Sequence, residues 1–122
     1  MLGEAFHGVF GPVAAVLATD IDLNEPWLSH ADVRDYAESS KLIRDFKPHI
    51  LMNLAALTDM EACERDPEGA WLTNALGAEN LALIAAELDA VYVYISTAGI
   101  FDGKQDFYTD FDQPNPLSQY AK

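Results

Sequence analysis

The chain has 122 residues, half of them hydrophobic, which suffices to bury the core of one domain. Its 20 acidic and 7 basic residues give a formal net charge of −13, which argues against nucleic-acid binding because such a field repels phosphates. No apolar run approaches the roughly 18 residues of a membrane span, and the N-terminus does not have the pattern of a secretory signal. Cys63 is the only cysteine, which excludes an internal disulfide framework and favours a reducing, cytoplasmic setting.

The first half of the chain alternates between predicted helices and other segments. A helix is expected over residues 3–10, ended by a Gly-Pro turn. The apolar run 13–18 has the length of a strand, and a polar loop is expected over residues 24–31. An aspartate in the cap position then predicts a helix over residues 35–46.

The second half repeats this alternation. Residues 49–54 and 91–95 are short apolar runs that predict two further strands. Between them, a helix is expected to begin at Asp66, with a proline in its first turn, and to continue to about residue 88. Residues 96–119 have the composition of an ordered active-site loop, and Ser118 can cap a last helix that starts near Tyr120. Short strands that alternate with helices predict an α/β fold with a doubly wound parallel sheet.

Residues 1–3, 53–64, 96–103 and 114–122 are similar, in the same order, to motifs of the extended short-chain dehydrogenase/reductase superfamily. Met1-Leu2-Gly3 resembles the end of the glycine-rich turn that binds the cofactor phosphates. Residues 53–64 are similar to an Asn-Ala-Ala-Ala-x-Thr motif that is followed by an acidic helix. Residues 96–103 are similar to the motif Ser-Thr-Asp-Tyr-Val-Phe-Asp-Gly. Residues 114–122 are similar to the segment that leads to a catalytic tyrosine. Residues 74–81 resemble the family's Asn-x-x-Gly-x-x-Asn. The strongest resemblance is to the dTDP-4-dehydrorhamnose reductases, and it covers essentially the whole chain.

The resemblance implies a Rossmann-like domain that binds NAD(H) or NADP(H). Asp20 matches an acid that binds the adenine ribose hydroxyls and disfavours a 2′-phosphate, so NAD(H) is slightly favoured. Small residues after the strand at 49–54 would let the backbone lie against the dinucleotide. The cofactor-binding residues that the resemblance implies are Met1, Leu2, Gly3, Asp20, Asp32, Val33, Ala55, Ala56, Leu57, Thr58, Asn74 and Tyr120.

The reaction implied is hydride transfer between the nicotinamide and a keto sugar. Tyr120 matches the tyrosine that moves the carbonyl proton, and Thr97 matches the hydroxyl that hydrogen-bonds the carbonyl oxygen. Thr97 and Ala98 are the expected substrate contacts, although Ala98 and Gly99 replace the family's Asp-Tyr. The family's lysine follows its tyrosine by four positions. Lys122 follows Tyr120 by two, about 200° around a helix, so we expect it to point away as a surface residue.

The resemblance begins at the last glycine of the phosphate-binding turn and ends just past the tyrosine. Residues 1–122 are therefore predicted to be a partial NAD(P)-binding domain, without the first strand and without the C-terminal substrate domain. In the strand order 3-2-1-4-5-6 that first strand is central, so two unpaired strand edges are expected beside it. We expect the chain alone to be poorly stable, or to pair these edges with something else.

The predicted function is reduction of a nucleotide-linked 4-keto sugar, so the expected binding partner is the nucleotide sugar. A homo-oligomer is compatible with this prediction. Whether the chain itself is an active enzyme stays open. The alternatives are a nucleotide-sugar epimerase or dehydratase, a non-catalytic nucleotide-binding regulatory subunit similar to the β subunit of methionine adenosyltransferase, and a non-functional product of an interrupted reading frame. A metal site is not expected, because His7, His30 and His49 lack ligand spacing.

Overall fold

The computed structural model describes residues 2–122 of the chain. It begins with helix α1, Leu2–Phe10, which confirms the predicted first helix. The helix ends where the Gly11 N–H binds the His7 carbonyl at 2.9 Å. No residue of α1 is buried, and the His7 ring stacks on Trp27 with ring centroids 4.0 Å apart.

Strands β1, Ala18–Asp20, and β2, Leu28–His30, form a parallel pair. The strand predicted over residues 13–18 is wrong, because only its last residue pairs with another strand, and Val13 is 80% exposed. The polar loop predicted over residues 24–31 is also wrong, since it contains β2. Strands of three residues depend on the hydrogen bonds of their partner, which local composition does not report.

Helix α2, Tyr36–Phe46, begins at the predicted cap, where the Asp35 carboxylate accepts the Glu38 N–H at 3.0 Å. It ends at Lys47, whose backbone is left-handed with φ 54° and whose N–H binds the Ile43 carbonyl at 2.8 Å. The next residue is a proline, which cannot continue the helix.

Strands β3, Ile50–Asn53, and β4, Val91–Tyr94, are also parallel, and both confirm predicted strands. The helices between them are α3, Met60–Arg65, α4, Pro67–Trp71, and α5, Gly77–Glu87. The Asp66 side chain caps α4 as predicted. The long helix predicted from Asp66 is interrupted, however, by a turn of π-helix over Leu72–Leu76, so that α4 and α5 are separate elements.

After β4 the chain is mostly irregular, apart from a 3-10 turn over Ala98–Ile100. The last helix predicted near Tyr120 is a single turn in the described residues. The Ala121 and Lys122 N–H groups both bind the Ser118 carbonyl, at 3.2 and 3.3 Å. Two residues after Tyr120 are too few to add a second helical turn.

The core lies where α5 packs on β3 and β4, with α2 against α5. Its buried members are Leu51, Leu81, Ile84 and Ala85. Gly77 begins α5 and permits a close approach by Val33, because a Cβ at position 77 would lie 2.6 Å from the Val33 Cγ2.

Two parallel strand pairs in a chain with several helices, three of them between β3 and β4, confirm the predicted α/β class. The strands form two separate sheets, β1–β2 and β3–β4, and no strand pairing joins these sheets within residues 2–122. In the described part of the chain, no helix has the length and apolarity needed to cross a membrane.

Candidate active site

A cleft of about 370 Å³ lies beyond the carboxyl ends of β3 and β4. Open parallel α/β sheets bind their ligands at this edge. Four of the predicted site residues border the cleft together, although they are far apart in sequence. These are Ala56, Asn74, Thr97 and Tyr120.

Thr97 lies three residues after the end of β4 and caps the 3-10 turn. Its Oγ1 accepts the Gly99 N–H at 3.1 Å, and its side chain is half-buried at the cleft. A hydroxyl has one hydrogen to donate as well as lone pairs to accept. The contact with Gly99 therefore leaves the Thr97 hydrogen able to bind an acceptor in the cleft.

Tyr120 borders the cleft on the turn that ends the described chain, and its side chain is half-buried. The residue before it, Gln119, donates its N–H to Glu64 Oε1 at 2.8 Å. Lys122 is exposed, as expected of a surface residue. It nevertheless borders the same cleft as Tyr120, because residues 119–121 form one turn and do not follow the helix on which its predicted direction was based.

The loop after β3 is fixed at its start by Asn53, which is buried. The Asn53 Oδ1 accepts the Ala55 N–H at 3.0 Å, and its Nδ2 donates to the Tyr92 hydroxyl at 3.2 Å. That hydroxyl in turn donates to the Ala78 carbonyl at 3.0 Å. Burial raises the pKa of Tyr92, so the phenol stays protonated as this chain of hydrogen bonds requires.

The same loop is fixed at its centre by Asn74. The Asn74 Oδ1 accepts the Leu57 N–H at 2.8 Å, and its Nδ2 donates to the Leu57 carbonyl at 3.0 Å. The buried Cys63 thiol also donates to that carbonyl, at 3.4 Å. Burial raises the pKa of Cys63, which keeps it a thiol and fits a packing role better than a nucleophilic one.

Asp102 organises the loop that follows Thr97. Its carboxylate accepts from the Tyr108 hydroxyl at 2.8 Å, from Asn115 Nδ2 at 3.0 Å and from Lys104 Nζ at 2.9 Å. These contacts, led by the one from Lys104, hold the pKa of Asp102 well below its usual range. The loop over residues 96–119 is thus internally bonded, as expected of an ordered loop.

Other predicted cofactor residues lie at the β1–β2 sheet and do not border the cleft. Asp20 ends β1, and its carboxylate accepts the Asp22 N–H at 3.0 Å. Asp32 binds the Arg34 guanidinium through both carboxylate oxygens, which lowers the pKa of Asp32. Val33 packs against the core beneath Gly77.

The remaining predicted residues are placed as follows. Ala55 and Thr58 are exposed, and Leu57 is half-buried, on the loop beside the cleft. Ala98 is exposed on the 3-10 turn. Leu2 and Gly3 are exposed on α1, away from this cleft, and Met1 lies outside the described residues.

Sequence reasoning missed several residues that shape the site. Trp71, Ile95 and Ile100 border the cleft. Asn53 and Glu64 hydrogen-bond the backbone of segments beside the cleft, at Ala55 and Gln119. Asn53 and Glu64 do belong to the matched motif over residues 53–64, and this match indicated that the segment contributes to the site. Their bonding partners lie on other elements and could not be read from that motif.

The chain matches the family described as RmlD substrate binding domain over residues 6–122. The chain belongs to this family. It is also 36% identical over 123 aligned positions to the methionine adenosyltransferase 2 subunit beta of Xenopus tropicalis, an alignment that covers 100% of this chain and 37% of that relative. The predicted family membership is thereby confirmed.

Solved structures of the family have the same fold. A hypothetical dTDP-4-dehydrorhamnose reductase from Sulfolobus tokodaii superposes with a TM-score of 0.92 at 27% identity, over 98% of this chain and 44% of that chain. The dTDP-4-dehydrorhamnose reductase of Bacillus anthracis in complex with NADP gives a TM-score of 0.73 at 28% identity, over 77% of this chain and 36% of that chain. These likenesses confirm the Rossmann-like fold. The chain spans less than half the length of each of these relatives.

Between Leu2 and Lys122, no three His, Cys, Asp or Glu side chains are grouped so that they could hold a metal ion.

Proposed function

We propose that the chain forms the catalytic part of an NAD(P)-dependent reductase that acts on a nucleotide-linked 4-keto sugar. The observation that carries this proposal is that Thr97 and Tyr120 border one cleft at the carboxyl edge of β3 and β4. Their hydroxyls are the two hydrogen-bond donors that reduction of a carbonyl uses at the carbonyl oxygen. Membership of a family with sugar-nucleotide reductases among its structures supports the same reaction.

The two hydroxyls have different roles in the proposed reaction. Thr97 donates its hydrogen to the substrate carbonyl oxygen, since its own oxygen is already oriented by the Gly99 N–H. Tyr120 gives its phenolic proton to the same oxygen as the carbonyl carbon is reduced, which yields an alcohol. The reduced nicotinamide supplies the hydride when it is bound.

The loop after β3 fits a dinucleotide. Ala55 and Ala56 are exposed and have no side chain beyond Cβ, so a flat ring can approach their backbone. Asn74 and Cys63 hold Leu57 in place beside them, which means that the loop does not have to be ordered on binding. A nucleotide cofactor and the free thiol of Cys63 fit the cytoplasm, which we propose as the compartment.

We propose NAD(H) as the preferred cofactor over NADP(H). The Asp20 carboxylate at the end of β1 would repel a 2′-phosphate. Arg34, the first basic residue after it in the sequence, is held by Asp32 and is not free to bind that phosphate. The value of kcat/KM should therefore be higher with NADH than with NADPH, and the reverse order would contradict this preference.

A second candidate function is that of a non-catalytic regulatory subunit. The relative that aligns over the whole chain at 36% identity is a subunit of methionine adenosyltransferase. Ala98 and Gly99 replace the Asp-Tyr of the reductase motif next to Thr97, which favours a site that has lost substrate contacts. Stable binding to a methionine adenosyltransferase catalytic subunit, without oxidation of reduced nicotinamide, would favour this candidate.

The reductase proposal is tested with Thr97 variants of the protein expressed from its native gene. NADH oxidation is followed with dTDP-4-dehydrorhamnose as the acceptor. Thr97→Ala should lower kcat/KM by about 10²–10³-fold, the usual cost of one donor to a developing oxyanion, whereas Thr97→Ser should retain most of the activity.

Thr19→Ala is the matched control, because Thr19 is an exposed threonine on β1. It should leave kcat/KM unchanged. An unaffected Thr97→Ala variant, or native protein without any activity towards keto sugars, would contradict the proposal.

A further inference from the structure

Glu64 links helix α3 to the segment that carries Tyr120. Its Oε1 accepts the Gln119 N–H at 2.8 Å, and Gln119 both borders the cleft and directly precedes Tyr120. We propose that Glu64 is a positioning residue that holds Tyr120 at the cleft. This inference rests on the proposed function, because it gives Tyr120 its catalytic role.

Helix α3 provides a rigid base for Glu64. The helix is capped by Asp59, whose carboxylate accepts the Ala62 N–H at 2.9 Å. The neighbouring Cys63 is fully buried and bonded to the Leu57 carbonyl. The Glu64 carboxylate therefore projects from a turn that is fixed at both its start and its packed face.

Asn115 gives the segment that carries Tyr120 two further hydrogen bonds to the body of the protein. Upstream, the Asn115 N–H binds the Ile100 carbonyl at 2.9 Å, and the Asn115 side chain binds Asp102. From position 116 to the end of the described chain, the bond to Glu64 is the only hydrogen bond that reaches another element. The other hydrogen bonds of this segment join the Ala121 and Lys122 N–H groups to the Ser118 carbonyl.

The type of hydrogen bond makes it suited to positioning. A carboxylate that accepts from a backbone N–H makes a shorter and stronger bond than a neutral acceptor does. The bond fixes the backbone one residue before Tyr120, and the phenol direction depends on that backbone. Misplacement of a reacting group by about 1 Å can lower a rate about 10²-fold.

Three variants separate positioning from a general effect of charge. Glu64→Ala removes the acceptor, Glu64→Gln keeps an oxygen that can accept the N–H, and Glu61→Ala removes an exposed acid from the same helix. If Glu64→Ala does not fold, Glu64→Asp, which draws the carboxylate back by one methylene, gives the same comparison.

The first measurement is amide hydrogen exchange in the isotope-labelled protein expressed from its native gene. Exchange at the Gln119 amide should become at least about 10-fold faster in Glu64→Ala, since a bonded amide is protected. It should stay near the native rate in Glu64→Gln and in Glu61→Ala. Equal exchange rates in native chain and Glu64→Ala would overturn the proposal, whether or not the protein is a reductase.

The second measurement is turnover of the protein expressed from its native gene. Glu64→Ala should lower kcat about 10-fold or more with little change in KM, because Glu64 acts on the proton donor and not on substrate binding. Glu64→Gln should recover kcat to within about 3-fold, which a purely electrostatic role would not allow. A kcat for Glu64→Ala equal to that of Glu61→Ala would overturn the role. Native protein without turnover would refute the proposed function, and the exchange measurement would still decide whether Glu64 holds the segment.

Discussion

Asn74 pairs with both backbone groups of Leu57, accepting its N–H at 2.8 Å and donating to its carbonyl at 3.0 Å. The carboxamide is thus occupied in holding the loop after β3, although Asn74 also borders the cleft. Its position in the π-helical turn over Leu72–Leu76 places it opposite that loop. Turns of π-helix are frequent at functional sites. Asn74 therefore contributes to the site by ordering the backbone that the cofactor would contact.

Replacement of Asn74 should destabilise the protein. Asn74→Ala leaves the Leu57 N–H without its partner, and a part-buried group that loses its hydrogen bond costs about 1–3 kcal/mol. Urea denaturation of the protein expressed from its native gene should show that loss in the free energy of unfolding. Asn24→Ala, in an exposed loop, is the control and should change it by less than about 0.5 kcal/mol. Equal stability of the two variants would contradict the role given to Asn74.

The two helical glycines Gly77 and Gly8 should respond in opposite ways to alanine. A Cβ at position 77 would lie 2.6 Å from the Val33 Cγ2, so Gly77→Ala should cost about 1–3 kcal/mol through overpacking. A Cβ at position 8 meets no atom within 4 Å, so Gly8→Ala should stabilise α1 by about 0.5–1 kcal/mol. Thermal or urea unfolding of both variants, made in the protein expressed from its native gene, measures the contrast.

A double variant checks the cause of the Gly77 effect. Val33→Ala removes the methyl group that collides with the new Cβ. In that background the cost of Gly77→Ala should fall without vanishing, because the Cβ of residue 33 remains 3.1 Å from the new Cβ, and a double-mutant cycle measures the difference. A cost that is the same with and without Val33 would refute the steric explanation.

The loop around Asp102 should loosen in acid. Because hydrogen bonds hold the pKa of Asp102 below its usual range, its contribution to stability is complete above the ordinary aspartate value of about 3.9. That contribution is lost as the pH falls from there through the lowered pKa. NMR signals of Tyr108, which bonds Asp102 and stacks on Phe101 with centroids 4.3 Å apart, should report the change.

Two variants test whether Asp102 causes this acid transition. Asp102→Asn cannot titrate, so the Tyr108 signals should no longer change over that pH range. Asp110→Asn, at an exposed acid of the same loop, should leave the transition as it is in the native chain. A transition that persists in Asp102→Asn would assign it to another acid, such as Asp32, whose pKa is also lowered.

The 122-residue chain alone should unfold without a sharp transition, or associate. Its two-stranded sheets are not joined within residues 2–122, and sheets of two strands are marginal in water. Apolar side chains beside them are open to solvent, with Ile50 60% and Val13 80% exposed. Circular dichroism melting combined with sedimentation tests this. A cooperative transition from a monodisperse monomer would contradict it.

Helix boundaries could be predicted because their signals are local. Asp35 and Asp66 cap α2 and α4 through their own side chains, and a residue three positions later supplies the N–H in each case. Strands β3 and β4 could also be predicted, because β3 lies in a short apolar run and β4 is a run of β-branched and aromatic residues.

Features that depend on distant partners could not be predicted in this way. The short strand β2 exists because it pairs with β1, and residues 13–17 are not a strand because nothing pairs with them. The bond between Glu64 and Gln119 joins residues 55 positions apart. Thr97 and Tyr120 were identified through the resemblance to the family, and only the fold brings both of them to one cleft.

The most direct test of the proposed function is transfer of an isotope label. The protein expressed from its native gene is incubated with NADH deuterated at the nicotinamide C4 and with dTDP-4-dehydrorhamnose. Deuterium should appear at C4 of the sugar, and Tyr120→Phe should slow its appearance about 10²–10⁴-fold, while Tyr36→Phe, at a half-buried tyrosine that bonds Glu87 and does not border the cleft, should not. Absence of label from the sugar with native protein, or an equal rate with Tyr120→Phe, would contradict the assignment.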